Sequence, residues 1–175
     1  METTDNKRFY FHEGITYSET GSKSVSFRYI EDKYAYDKKG PCVFVKSGIS
    51  NLYTLAFLNS KLSFYLVDCL NPTVSTQVGD TKRIPYSIPS SKYTKIIEDI
   101  VLSNVGIKRK LNSFSLVEPL FLQSPITTVG EVTSSITIYY NGENALLTQI
   151  LLNESIINKI VFEVYELSEH DKQMV

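Results

Sequence analysis

Tryptophan is absent from the 175 residues, and only two cysteines and two histidines occur. Cys42 and Cys69 both stand among apolar neighbours. That suits buried free thiols better than a disulfide or a metal site. His12 and His170 lie far apart in the chain, which argues against zinc. Neither stands in a recognisable setting of nucleophile, base and orienting acid, so Ser-His-Asp and Cys-His catalysis have no evident carrier. Glycine is sparse at eight residues, and no two are spaced Gly-x-Gly. Long apolar runs are missing as well. None reaches membrane-spanning length, and the start METTDNKRF lacks the apolar core of a signal peptide. A cytoplasmic location and no membrane partner are the expectations.

What is present is ordinary in amount and uneven in placement. Apolar residues make up 42% and charged residues 21%, as in a globular protein long enough for one packed domain, or a domain with an appendage. The net charge of −1 hides an asymmetry. Up to Ser115 there are 16 Lys+Arg against 11 Asp+Glu, and from Leu116 onward two against eight. A basic front and an acidic back suit a chain that meets a polyanion with one part only.

The chain is organised around Leu52–Pro89. Leu52, Leu55, Ala56, Leu58, Leu62, Tyr65, Leu66 and Cys69 recur at steps of three and four, which predicts one central helix over about 51–70. Pro72 stops it, because proline cannot donate an N–H and drives Asn71 out of the α region. Thr73–Asp80 is polar, Asp80 caps a single turn through Arg83, and Ile84-Pro85 begins an extended exit. Before this stretch, His12–Tyr17, Val25–Ile30, Tyr34–Asp37 and Cys42–Val45 read as short strands. The spacers Ser18–Ser24, Glu31–Lys33 and Lys38–Pro41 read as turns. After it, Ser90 or Ser91 caps a helix through about Lys110, ending in the basic cluster Lys108-Arg109-Lys110. Asn112–Ser124 connects. Ile136–Tyr140 reads as a strand, Asn141-Gly142 as a turn, and Asn144–Tyr165 as a long amphipathic helix. The fold class is therefore α+β: a small, mostly antiparallel sheet with the central helix and appended C-terminal helices. Residues 1–89 form the core, and 90–175 a helical extension with a connecting segment, packed on the core.

Phe57-Leu58-Asn59-Ser60-Lys61, Leu70-Asn71-Pro72-Thr73, Gln77-Val78-Gly79-Asp80 and Ile84-Pro85 resemble the target recognition domain of PglX-type adenine-specific DNA methyltransferases. Those enzymes belong to BREX phage-defence systems. Type IIG restriction-modification enzymes carry similar domains, and specificity subunits of type I systems are looser relatives. Gly14-Ile15-Thr16-Tyr17-Ser18, Gly21, Phe27-Arg28-Tyr29, Asp37 and Gly40-Pro41 extend the resemblance, with Tyr17 where the pattern has Trp. So does Asn153-Glu154 with Ile160-Val161-Phe162 and Tyr165-Glu166-Leu167, where Glu166 replaces a glycine and predicts a less sharp helix end. The resemblance implies a fragment of a larger protein. It implies duplex DNA and the parent's catalytic methyltransferase domain as partners, with other defence subunits as further ones.

Catalysis is not expected in this chain. S-adenosylmethionine needs the glycine-rich turn that is missing, so no cofactor is assigned here and the methyl donor is expected in the catalytic domain. Asn71-Pro72-Thr73-Val74 is the nearest approach to the methyltransferase Asn/Asp-Pro-Pro-aromatic motif. It lacks the second proline and the aromatic that stacks a flipped base, and it reads as a helix stop. Glu31-Asp32-Lys33 has the spacing of a nuclease Glu-x-Lys pair but stands on a polar turn. What remains is binding. Positive side chains hold phosphates, and Arg, Lys, Gln and Asn read base edges. The candidates are Tyr17, Lys23, Arg28, Lys46, Lys61, Gln77, Lys82 and Arg83, with Gln77–Arg83 the strongest segment. The expected function is sequence-specific recognition of double-stranded DNA for an N6-adenine methyltransferase, non-catalytic by itself. The alternative is a protein-interaction module of a defence complex, carried by the acidic helix Asn144–Tyr165.

Overall fold

The computed structural model describes residues 9–20, 25–37, 39–73, 75–119, 121, 123–128 and 131–175. Its elements are β1 (Gly14–Tyr17), β2 (Phe27–Ile30), β3 (Cys42–Val43), α1 (Asn51–Leu58), α2 (Lys61–Leu70), α3 (Val78–Arg83), α4 (Ser91–Asn112), a 3-10 turn (Pro125–Thr128), α5 (Val132–Val164) and α6 (Glu169–Met174). The architecture is α+β, as the residue pattern implies. Two compact units are formed, one of Met1–Glu98 with Ile157–Val175, the other of Asp99–Ile156.

In the first unit the three strands form an antiparallel sheet in the order β2-β1-β3. Ile15 pairs with Tyr29 and Tyr17 with Phe27. Directly opposed residues share a face, so the apolar alternation of both strands converges on one side. Ile15, Tyr17 and Phe27 are buried there. Gly14 is set by close approach: a Cβ would lie 3.0 Å from both the Phe44 ring and the Val43 carbonyl oxygen. The stretch Tyr34–Asp37 is irregular instead of a strand. Tyr36 spends its side chain on Tyr10 and Phe44, at ring separations of 5.1 and 5.5 Å.

The expected central helix is two helices. Asn59 ends α1, and Ser60 starts α2 by accepting the Ser63 N–H on its hydroxyl. This break turns the helical face. In α1 every residue from Tyr53 to Leu58 is buried, whereas α2 buries only Leu62, Ser63 and Val67. Tyr65 and Cys69 are consequently exposed, contrary to the single-helix reading; Cys42 is half-buried. Asn59 itself fastens the corner to the sheet. Its amide oxygen accepts the Phe27 N–H at 3.0 Å, and its amide nitrogen donates to the Phe27 carbonyl at 2.9 Å.

The aromatic core of this unit gathers around Phe57. Its ring stacks on Tyr165 at 5.3 Å and meets Tyr86 edge-on at 5.6 Å. The Tyr165 hydroxyl donates to the Pro85 carbonyl at 2.7 Å and accepts the Ser87 N–H at 2.9 Å. The Ile84–Pro89 exit is thus held by two backbone bonds to one phenol. Burial pushes Tyr165 up to about 12 and raises Tyr53 as well.

The second unit has a thin core. Val101 and Ile150 are its buried apolar residues among those described, with Ser135 and Asn153 as buried polar ones. Asn153 donates to Asn104 at 2.7 Å and accepts from Gln149 at 2.9 Å, so the buried amide is satisfied. Ile136–Tyr140 and Asn141-Gly142, expected as strand and turn, are interior to α5. Ile150, Asn153, Ile157 and Val161 are buried at helical spacing in its C-terminal half, and Ser135 is buried near its start. Continuing a 33-residue helix through these five residues, Ile136–Tyr140, outweighs their weak β-branched and aromatic propensity. By length and composition α5 is also apolar enough to cross a membrane, with an 18-residue window of mean hydropathy 1.3, contrary to the expectation that no stretch is. Much of that apolar surface is open: Ile138, Tyr140, Leu151 and Leu152 are each more than half exposed.

Candidate nucleic-acid interface

The polar segment after Pro72 folds around one side chain. Asn71 caps the end of α2, and its amide nitrogen donates to the Ser75 carbonyl at 2.9 Å and to Asp80 at 2.7 Å. Its amide oxygen accepts from the Thr73 N–H and hydroxyl. Asp80 then accepts the Gln77 N–H at 2.9 Å. Asp80 is therefore the third residue of α3, bonding back to the cap position Gln77, and not the cap itself. The Asn71 amide, followed by the Gln77 N–H, holds the Asp80 carboxyl below the usual carboxylate range. Asn71-Pro72-Thr73 is a helix stop and hydrogen-bond hub, with both faces of the amide already engaged by protein.

A second tie joins this segment to the sheet. The Thr76 N–H donates to the Glu19 carbonyl at 2.8 Å, and Thr20 bridges Ser75. The start of α3 is thereby fixed to the loop that leaves β1. Arg28 on β2 reaches the same loop, donating to the Ser18 hydroxyl at 2.8 Å. Gln77, Lys82 and Arg83 are all exposed on or beside α3, with the two cations in its last turn, where they oppose the negative end of the helix dipole. Arg28 and the start of α3 are thus both tied to the loop that leaves β1, and Gln77 follows directly on Thr76.

The other expected residues are placed differently. Tyr17 is 0% exposed, its ring 5.1 Å from Phe27, and burial raises its phenol. It is a core residue and has no surface to offer a ligand, because alternation on β1 points it to the packed face. Lys46 is exposed on the turn after β3, and Lys61 is exposed at the start of α2, where its N–H donates to Asn158. Lys23, Gly21, Lys38 and Val74 lie outside the described residues. Glu31 and Lys33 pair with each other at 2.6 Å across their turn. Among the described residues, no three His, Cys, Asp or Glu side chains cluster as a metal site requires.

Sequence reading missed Phe11. It is 64% exposed and takes φ 61°, in the left-handed region that costs a non-glycine residue about 1–2 kcal/mol. Its N–H donates to the Tyr34 carbonyl at 3.3 Å, and Tyr34 is 55% exposed. No local motif marks a left-handed phenylalanine; glycine or asparagine is the residue type that signals such a turn.

No protein-family model matches the chain. It is 26% identical over 171 residues to the adenine-specific methyltransferase PglX of Lacticaseibacillus casei (strain Zhang), covering 94% of this chain. To the adenine-specific methyltransferase BrxX of Escherichia coli O9:H4 (strain HS) it is 28% identical over 162 residues, covering 91%. The similarity to these two proteins runs along nearly the whole length of the chain. It spans 14% and 13% of their own lengths.

Proposed function

We propose that the chain docks duplex DNA as the target-recognition part of an N6-adenine methyltransferase and does no chemistry itself. The observation that carries this is its likeness, over more than nine-tenths of its residues, to a small part of two adenine-specific methyltransferases. The exposed Lys82 and Arg83 on α3 and Arg28 on β2 would hold backbone phosphates, and Gln77 at the start of α3 is a base-reading type of side chain. Lys46, Lys61 and Lys23 would extend the electrostatic contact. The sequence has no Gly-x-Gly turn, and Asn71 is engaged by its own neighbours, which supports placing methyl transfer in another part of a larger protein.

The test is duplex binding across a salt series, comparing the wild type with Lys82→Ala/Arg83→Ala. Affinity should fall with salt. The variant should bind more weakly, with a log–log slope shallower by about 0.9 per phosphate contact removed. Equal slopes would remove α3 from the interface. No wild-type binding even at low salt would count against DNA docking by this chain.

The exposed apolar residues of α5 favour a second role, contact with a protein subunit. Retention of a defence-system subunit by the wild type, lost in Leu147→Lys/Leu151→Lys, would support it. Equal retention would remove α5 from that contact.

A further inference from the structure

We propose that Phe11, flanked by Tyr34, is an aromatic wedge that inserts at a base step of bound duplex DNA. This rests on the DNA-docking reading above and adds a contact that the cationic residues cannot make. Three observations converge on it. Phe11 combines large exposure with a left-handed backbone. Folding explains neither feature: a ring left in solvent gains no core burial, and glycine would adopt the same φ without strain. Outliers of this kind gather where a site needs a side chain held out in a fixed direction. Second, the hydrogen bond from the Phe11 N–H to the Tyr34 carbonyl joins two exposed aromatic residues from separate segments. Third, the neighbouring aromatics form a half-buried base for them. Phe9 stacks on Phe44 at 5.0 Å with planes 17° apart, Tyr36 meets Phe44 at 5.5 Å, and Tyr10 meets Tyr36 edge-on. An exposed apolar ring next in the chain to a packed aromatic cluster is the kind of side chain that parts stacked bases, and the exposed Tyr34, joined to it through the backbone, offers a face on which a parted base can stack.

Phe11→Gly separates this role from folding, because glycine relieves the left-handed strain. The probe is a pool of mixed-sequence duplexes. Binding is read by anisotropy, and base unstacking by permanganate reactivity of thymines. The wild type should bind and raise thymine reactivity. Phe11→Gly should bind with the same salt slope and return reactivity to that of free duplex, whereas Phe11→Leu, which keeps an apolar wedge, should retain the unstacking. Wild-type binding without unstacking, or unstacking undiminished in Phe11→Gly, overturns the wedge and leaves DNA docking in place. No binding by the wild type overturns both, and points the aromatic pair toward a protein partner instead.

Discussion

Single residues explain why the recurring motifs of this chain read as they do. Asn59 is needed where it stands because one amide satisfies both the N–H and the carbonyl of Phe27, and a side chain without both functions leaves one of them unmet. Asn71 has the same kind of role for the turn into α3. These side chains look like reading groups in a sequence, yet both are occupied internally. Glu166 is the opposite case, a residue at odds with its backbone. It takes φ 51° at the end of α5. Leu167 N–H bonds back to Phe162 and Glu166 N–H to Glu163, at 3.0 and 3.1 Å. That is a Schellman closure with a glutamate in the glycine position, so the helix ends sharply despite the substitution. Glu166→Gly should raise unfolding free energy by about 1 kcal/mol, the strain of the left-handed conformation less glycine's extra unfolded entropy. Urea denaturation would measure this, and an unchanged midpoint would show that the strain is relieved elsewhere.

At the level of elements, α3 is six residues long and buries none of them. A helix so short gains little from its own hydrogen bonds, so it depends on Asp80 and on the ties to α2 and β1. The sign of the pH effect follows from the lowered Asp80 carboxyl. The folded state favours the charged form. The stabilisation is present above the ordinary aspartate value of about 3.9 and is lost as pH falls through that value toward the lowered one. Asp80→Asn should therefore be less stable than the wild type near neutrality, with the gap closing as pH falls below the ordinary aspartate value. A gap constant across that range would mean that the carboxylate's charge contributes nothing.

Across the whole molecule, hydrophobicity alone does not say which apolar residues of α5 are inside. Ile157 is 5% exposed and Leu151 is 66% exposed, although both are aliphatic residues of one helix. Ile157→Ala should cost about 2–5 kcal/mol, through lost burial and a residual cavity. Leu151→Ala should stay within about 0.5 kcal/mol, as an exposed position does. Comparable losses at both sites in chemical denaturation would mean that Leu151 is covered, for instance by self-association. The charge asymmetry belongs to this scale too. The cations near α3 and the aromatic pair at Phe11 lie in the basic front of the chain, while α5 is acidic and apolar.

The sequence by itself determined the local punctuation. Pro72 ended a helix, and the alternation within Val25–Ile30 marked a strand. Each of these follows from covalent geometry or from bonds within a few residues. The α+β class followed from the same patterns. Tertiary structure decided the rest. It broke the helix at Asn59, because that amide is drawn to a strand 32 positions earlier. Ile136–Tyr140 is helical inside a 33-residue helix, whose cooperative propagation outweighs the strand preference of five residues. Tertiary structure also buried Tyr17 and tied both Arg28 and the start of α3 to the loop after β1, since nothing in their spacing encodes the bonds from Thr76 to Glu19 and from Arg28 to Ser18. Long-range contacts set these outcomes, and a linear pattern records only the contacts that repeat within a turn or a strand.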